Sequence, residues 1–179
     1  MTSLDQPFPG VHLLQPKVFQ DNRGDFIKTF HAQLFEQLGI SFKPVEEFFS
    51  TSKRGVLRGM HFQVPPQAHA KLVYCTRGKV LDVLLDLRKS SPTYGFTFSV
   101  ELSLENHLQL YLPAGIAHGF LALAPDSVML YKTDTVHSAD HDAGIRWDSF
   151  GFNWAVNNPT ISIRDQAHMP FREFNSPFL

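Results

Sequence analysis

Between residues 96 and 112 the chain alternates with a period of two. Phe96, Phe98, Val100 and Leu102 are interleaved with Thr97, Ser99 and Glu101, and Leu108, Leu110 and Leu112 with Gln109 and Tyr111. Successive side chains of a strand point to opposite faces, so this pattern describes strands with one apolar face. Residues 79–87, KVLDVLLDL, extend it and put Asp82 and Asp86 on the same face as Val80 and Leu84. Breaks rich in glycine, proline or asparagine (SSPTYG, SLEN, PAGIAHG, APDS) separate the runs. Many short strands at regular spacing, with little helix between them, predict an all-β sandwich or barrel.

The remaining segments fit around such a barrel. Residues 31–38, HAQLFEQL, set Leu34, Phe35 and Leu38 at helical spacing and stop at Gly39, which predicts a short helix. Residues 11–19 read as a strand interrupted by Pro16, which suits an edge strand or one that pairs with a neighbouring subunit. The tail, residues 150–179, is irregular and rich in proline and aromatics, and is expected to wrap the barrel. With 179 residues and no low-complexity linker, the expectation is one domain over residues 1–179. A net charge of −1 argues against nucleic acid or an anionic membrane surface as a partner. No apolar run approaches a spanning helix, and the opening residues MTSLDQPFPG lack a signal-peptide pattern, so a cytoplasmic location is expected. Cys75, the only cysteine, cannot form an intrachain disulfide and reads as a small core residue.

One stretch departs from the plain apolar pattern. Residues 55–71, GVLRGMHFQVPPQAHAK, bring Arg58, His61 and Lys71 into one hairpin-sized segment around a Pro-Pro turn. A strand that only filled a core has no use for three such groups. Strict alternation would place Arg58 and His61 on opposite faces, so a bulge at Gly59 is required for both to reach one pocket. The G-x5-H spacing of residues 55–61 and the P-x-G-x2-H of residues 113–118 resemble the two motifs of cupins. Metal-binding cupins add a second histidine and a glutamate to form a mixed nitrogen and oxygen site. Here Gln63 holds the histidine position and no glutamate follows before Gly78. His69, in the Pro-Pro turn, is a conceivable third ligand, but it reads as solvent-facing. The expectation is acid–base chemistry without a metal.

The segments VLRGMHFQ, SPTYG and AHGF, in that order and spacing, with DNRGDF, LSLEN, YK, GIRWD and SIRD around them, carry a more specific pattern. It resembles the dTDP-4-dehydrorhamnose 3,5-epimerase family. The resemblance implies a cupin-like jelly-roll β-barrel with a few short helices, a homodimer, and no metal or organic cofactor. It implies removal and return of a proton at carbons flanking the C4 ketone of a nucleotide-diphospho-4-keto-6-deoxy sugar. Such chemistry needs a base near neutral pKa, a group orienting that base, and a cation or donor at the enolate oxygen. By resemblance these are His61, Asp165 and Lys71, with Arg58 and His118 near the enolate. Tyr131 would handle the proton on the opposite face of the ring, and Asp82 would hold Lys71 or a histidine. Arg23 and Arg58 are the choices for the diphosphate. Phe26, Lys28, Glu46, Phe48, Gln63 and His118 complete the substrate-binding set.

From the residues alone, each of these has a plainer reading. His61 could be a satisfied interior histidine, Lys71 a surface lysine at a strand start, and Tyr131 an ordinary pocket tyrosine. Asp165 and Arg23 could each serve only a turn. The chain also departs from the family: Lys28 stands where a glutamate is usual, and Glu46, Glu47 and Phe48 replace Gln-Asp-Asn. Residues 135–140, TVHSAD, lack the aromatic-proline pattern expected of the pocket lid. These departures lie at the nucleotide end, so the expectation is a retained reaction with a changed base or sugar. A CDP- or GDP-linked sugar and epimerisation at one carbon both fit. Other classes are a 3,4-ketoisomerase, a non-catalytic sugar-nucleotide-binding cupin, and a metal oxygenase, the last disfavoured by the missing ligands.

Overall fold

The computed structural model describes the chain from Met1 to Leu179. Two antiparallel sheets carry the fold. The first has six strands in the order β1 (Thr2–Asp5), β2 (His12–Gln15), β10 (Gln109–Leu112), β7 (Lys71–Arg77), β12 (Ser127–Thr133) and β5 (Glu46–Ser52). The second has five, in the order β13 (Asp142–Gly144), β6 (Leu57–Gln63), β11 (Ile116–Ala122), β8 (Lys79–Asp86) and β9 (Thr97–Ser103). β3 (Val18–Asp21) and β4 (Gly24–Ile27) form a separate two-stranded hairpin. Two short helices, α1 (Ala32–Gln37) and α2 (Ile163–Gln166), complete the regular structure with one 3-10 turn (Phe171–Glu173). This is the expected all-β jelly roll.

The alternation in the sequence explains how the layers close. Val80 and Leu84 of β8 join Val73, Leu110, Leu112, Met129 and Phe120 in a core between the sheets. The intervening Val83 and Leu85 point the other way, into a second core with Leu57, Met60, Trp154 and Phe178. β8 is therefore buried on both faces, because the tail covers the outside of the five-stranded sheet. At about 1.5–3 kcal/mol for each fully buried large apolar side chain, both layers contribute heavily. A third cluster, with Leu14, Phe35, Phe42 and Leu72, seals the outside of the six-stranded sheet beneath α1.

Three local expectations need correcting. Residues 11–19 are two strands, β2 and β3, with Pro16 between them, and β2 lies between β1 and β10 rather than at an edge. Proline lacks the N–H a ladder needs, so it ends the strand instead of interrupting it. Phe96 precedes β9 and is exposed, because residues 91–96 turn to bring Ser91 and Thr93 onto the buried Asp86 carboxylate. His69 is half-buried beside the cavity described below, not turned to solvent.

Candidate active site

Between the two sheets lies a cavity of about 380 Å³. The five-stranded sheet contributes Arg58, His61, Gln63, His118 and Asp142, and the six-stranded sheet contributes Glu46, Phe48, Ser50, Lys71, Tyr131 and Thr133. His69, His137 and Arg164 enter from connecting segments and α2.

Arg58 and His61 share this cavity because β6 bulges. On β11, His118 pairs with His61 and Phe120 with Arg58, so Gly59 and Met60 together stand opposite the single residue Gly119. An extra residue reverses the facing of everything beyond it, which puts Arg58 and His61 on one side. Gly59 has φ +137°, and a Cβ there would lie 2.5 Å from the Cα of Gly119. Only glycine meets both demands. The Arg58 guanidinium donates to Ser52 Oγ at 3.0 Å and to the Thr51 carbonyl at 3.1 Å.

The tail delivers the partner of His61. Thr160 exchanges backbone hydrogen bonds with Gly55 and Leu57, which clamps the tail to the start of β6. Ser162 then caps α2, its Oγ accepting from the Asp165 N–H at 3.0 Å, and this aims Asp165 inward. Asp165 Oδ1 is 2.9 Å from His61 Nε2, and Oδ2 accepts from the Gly59 N–H at 3.1 Å. The bulge and the carboxylate therefore fix each other. Burial works to raise the Asp165 carboxyl, but His61, the Gly59 N–H and Ser162 outweigh it and hold the group at about 2. Burial pushes the His61 imidazole below its ordinary range, against the pull of Asp165. A neutral imidazole with Nε2 committed to a carboxylate has Nδ1 free to take a proton.

The other polar walls have different states. Lys71 donates to the His61 carbonyl at 3.1 Å, and burial pushes its ammonium down to about 8 against the pull of Asp142 and Asp82. Asp82, wholly buried, pairs with His118 Nε2 at 2.8 Å, so of the two expected partners it holds the histidine. Tyr131 lies parallel to Phe48, 4.8 Å between centroids, and its hydroxyl is 3.3 Å from Ser50 Oγ. Burial raises the Tyr131 phenol well above its usual value, so it stays protonated. His61 and Tyr131 belong to opposite sheets and face the same space.

Other candidates are engaged or lie elsewhere. Gln63 bridges two loops, donating to the Gln67 carbonyl at 2.7 Å and accepting from the Ser138 N–H at 2.6 Å. Glu46 accepts from the His137 N–H at 2.7 Å, and Glu47 pairs with Lys132. Arg23, Phe26 and Lys28 lie on or just beyond the β3–β4 hairpin and do not line this cavity. Arg23 is exposed and paired with Asp21 at 2.5 Å.

Sequence reasoning missed His168, whose Nε2 is 3.7 Å from Asp165 Oδ1. The i, i+3 spacing from Asp165 was the available signal. His61, Asp165 and His168 place three potential ligand atoms within 4.8 Å of one another. The close His61–Asp165 hydrogen bond makes this a dyad with a flanking imidazole. His69, also unassigned, is pushed down to about 3 by burial and by Lys71, so it is neutral.

This jelly-roll cavity sets an aspartate-paired imidazole on one wall and a protonated phenol on the other, an arrangement suited to moving protons at a bound ligand. A family profile described as dTDP-4-dehydrorhamnose 3,5-epimerase matches residues 5–173. The chain belongs to that family. It is 42% identical over 168 residues to the dTDP-4-dehydrorhamnose 3,5-epimerase of Shigella flexneri, covering 92% of this chain and 93% of the relative. The enzyme of that name from Bacillus anthracis, solved with TDP and PPi bound, superposes with a TM-score of 0.93 at 37% identity, covering 94% of this chain and 98% of that one. The dTDP-6-deoxy-D-glucose-3,5-epimerase of Legionella pneumophila, in complex with dTDP-4-keto-L-rhamnose, gives 0.92 at 32% identity, covering 97% and 94%.

Proposed function

We propose that this chain epimerises C3, C5 or both in a dTDP-linked 4-keto-6-deoxy sugar. The observation that carries this is the placement of His61, backed by Asp165, and a protonated Tyr131 on opposite walls of one cavity. His61 removes the proton next to the ketone, and Lys71 with His118 receives the charge that builds on the enolate oxygen. Tyr131 delivers a proton to the other face, which inverts the centre. Arg58, the cavity's guanidinium on β6, suits the diphosphate.

The departures at residues 46–48 have partners within the chain. Glu46, Glu47 and Phe48 are occupied with His137, Lys132 and Tyr131 respectively, which explains them within the chain itself. The related enzymes named above carry dTDP in their names. A binding panel of nucleoside diphosphates should therefore rank dTDP first; a preference for CDP or GDP would restore the changed-base reading.

A homodimer completes the reading. Phe19 and Phe26 on the β3–β4 hairpin are exposed by 49% and 63%, and they stand with Arg23 outside their own chain's cavity. Arg23, Phe26 and Lys28 therefore meet substrate only where a second copy brings this hairpin to its cavity. Sedimentation should give twice the mass of one chain.

Incubation with the 4-keto sugar in deuterium oxide tests the reaction. Deuterium should enter at C3, C5 or both, and His61→Asn should abolish it. No incorporation by folded protein would refute the enzyme reading.

A further inference from the structure

The His61–Asp165 pair is not alone behind the cavity. The His168 ring meets the His61 ring edge-on, 5.6 Å between centroids at 75°. Its Nε2 is buried and finds no hydrogen-bond partner. The Asp165 oxygen that faces this nitrogen, 3.7 Å away, is the same Oδ1 that holds His61. Other charged groups around the ring are Arg164 beside Asp165 on α2 and Asp142 on β13.

The seat for this ring is built into the strand beside His61. Gly144 of β13 pairs with His61 across β13–β6, and any Cβ at Gly144 would overlap the His168 imidazole. The backbone bonds Met60–Ile145 and Arg146–Met169 lock the surrounding segments together. A bare backbone at residue 144 thus leaves room for a second imidazole against the carboxylate.

We propose that His168 is a positioning residue that sets the base strength of His61 by presenting a second N–H to the carboxylate oxygen His61 uses. The proposal rests on His61 acting as the base. At 3.7 Å the contact is electrostatic rather than a hydrogen bond. Its direction is clear. A donor dipole on Asp165 reduces what the carboxylate can offer to a cationic His61, which keeps His61 neutral and ready to accept a proton. Two cationic imidazoles on one carboxylate also repel each other, so their titrations are linked.

The test is an NMR titration of the His61 ring in wild type, His168→Leu, His168→Gln and Gly144→Ala. Leucine keeps the site dry but removes the donor. It should raise the His61 midpoint by about half a pH unit or more, and the acidic limb of kcat/KM should move up with it while KM stays put. Gln, which retains an N–H, should return the midpoint towards wild type. Gly144→Ala, which displaces the ring without removing a polar group, should reproduce the Leu shift and serves if the Leu variant does not fold. Equal midpoints in wild type and the Leu variant, or equal shifts in Leu and Gln, would overturn the proposal. The titration needs no substrate. A shift in a protein that turns nothing over would therefore sustain the positioning role while removing the epimerase reading.

Discussion

His61 and His118 stand directly opposite each other on β6 and β11, and each is held by its own aspartate, Asp165 at 2.9 Å and Asp82 at 2.8 Å. The two pairs differ in access. The His118 and Asp82 side chains are 4% and 0% exposed, while the His61 side chain is 28% exposed. The outer pair is the more open to a ligand, and the inner pair is packed into the wall.

Asp165 therefore ties stability to catalysis. Its folded-state value of about 2 lies below the unfolded value of about 3.9. Its contribution is fully present above the unfolded value and is lost as the pH falls through the folded one. Asp165→Asn should cost on the order of 2 kcal/mol at pH 7, measured by urea unfolding against wild type. The gap should narrow below about pH 4 and close near pH 2. A gap that is the same at pH 3 and pH 7 would show that the carboxylate charge is not what stabilises the fold.

Lys71 works in the opposite sense. Burial lowers its folded-state value to about 8, below the ordinary 10.5, so the unfolded chain binds the proton more tightly. Below pH 8 the buried charge destabilises the fold, and stability rises with pH between those two values. Lys71→Met should gain on the order of 1–2 kcal/mol at pH 7, less as the pH climbs beyond 8, and should lose turnover. If the enolate needs the ammonium, wild-type kcat/KM should fall above about pH 8, and Lys71→Arg should move that limb upward. A gain from Met that is unchanged at pH 10 would contradict this account.

Much of this was legible in the sequence, because alternation at period two is a local signal. Val80, Leu84, Met129 and Tyr131 all face the inter-sheet core, as their spacing requires. The bulge at Gly59 was readable only as a condition, since Arg58 and His61 cannot otherwise share a face, and the β6–β11 register supplies it. What could not be read depends on distant segments. His69 looked solvent-facing because nothing local shows that the turn folds back beside Lys71. His168 carries no meaning until Thr160 pairs beside Gly55 and brings the tail beneath β6. Phe96 matched the alternating pattern, but the buried Asp86 carboxylate draws Ser91 and Thr93 inward and turns the chain before the strand begins.

Tyr131→Phe separates inversion from proton removal. The ring stays stacked on Phe48 and the hydroxyl alone is lost, so folding should be unchanged. His61 can still remove and return a proton on its own side. Deuterium should therefore continue to enter at the first carbon while the inverted product falls by about 10²-fold or more, the range of a lost general acid. Equal losses of exchange and inversion would count against Tyr131 as the opposite-face acid.

Gly59→Ala tests whether the bulge holds the site. The methyl would press on the Gly119 Cα, and φ +137° is a conformation that alanine rarely adopts. Both effects act on the segment whose N–H holds Asp165 Oδ2. Overpacking and left-handed strain together should cost on the order of 2–4 kcal/mol, seen as a lower urea midpoint. Any folded fraction should also show His61 uncoupled from Asp165, since moving Gly59 away from Gly119 takes its N–H off the carboxylate. The decisive comparison is Gly24→Ala on the hairpin. There φ is +120° but nothing lies within 4 Å of the added carbon. If the two substitutions cost the same, backbone strain alone explains Gly59; a larger loss at Gly59, with His61 displaced, assigns the excess to the close approach of β6 and β11.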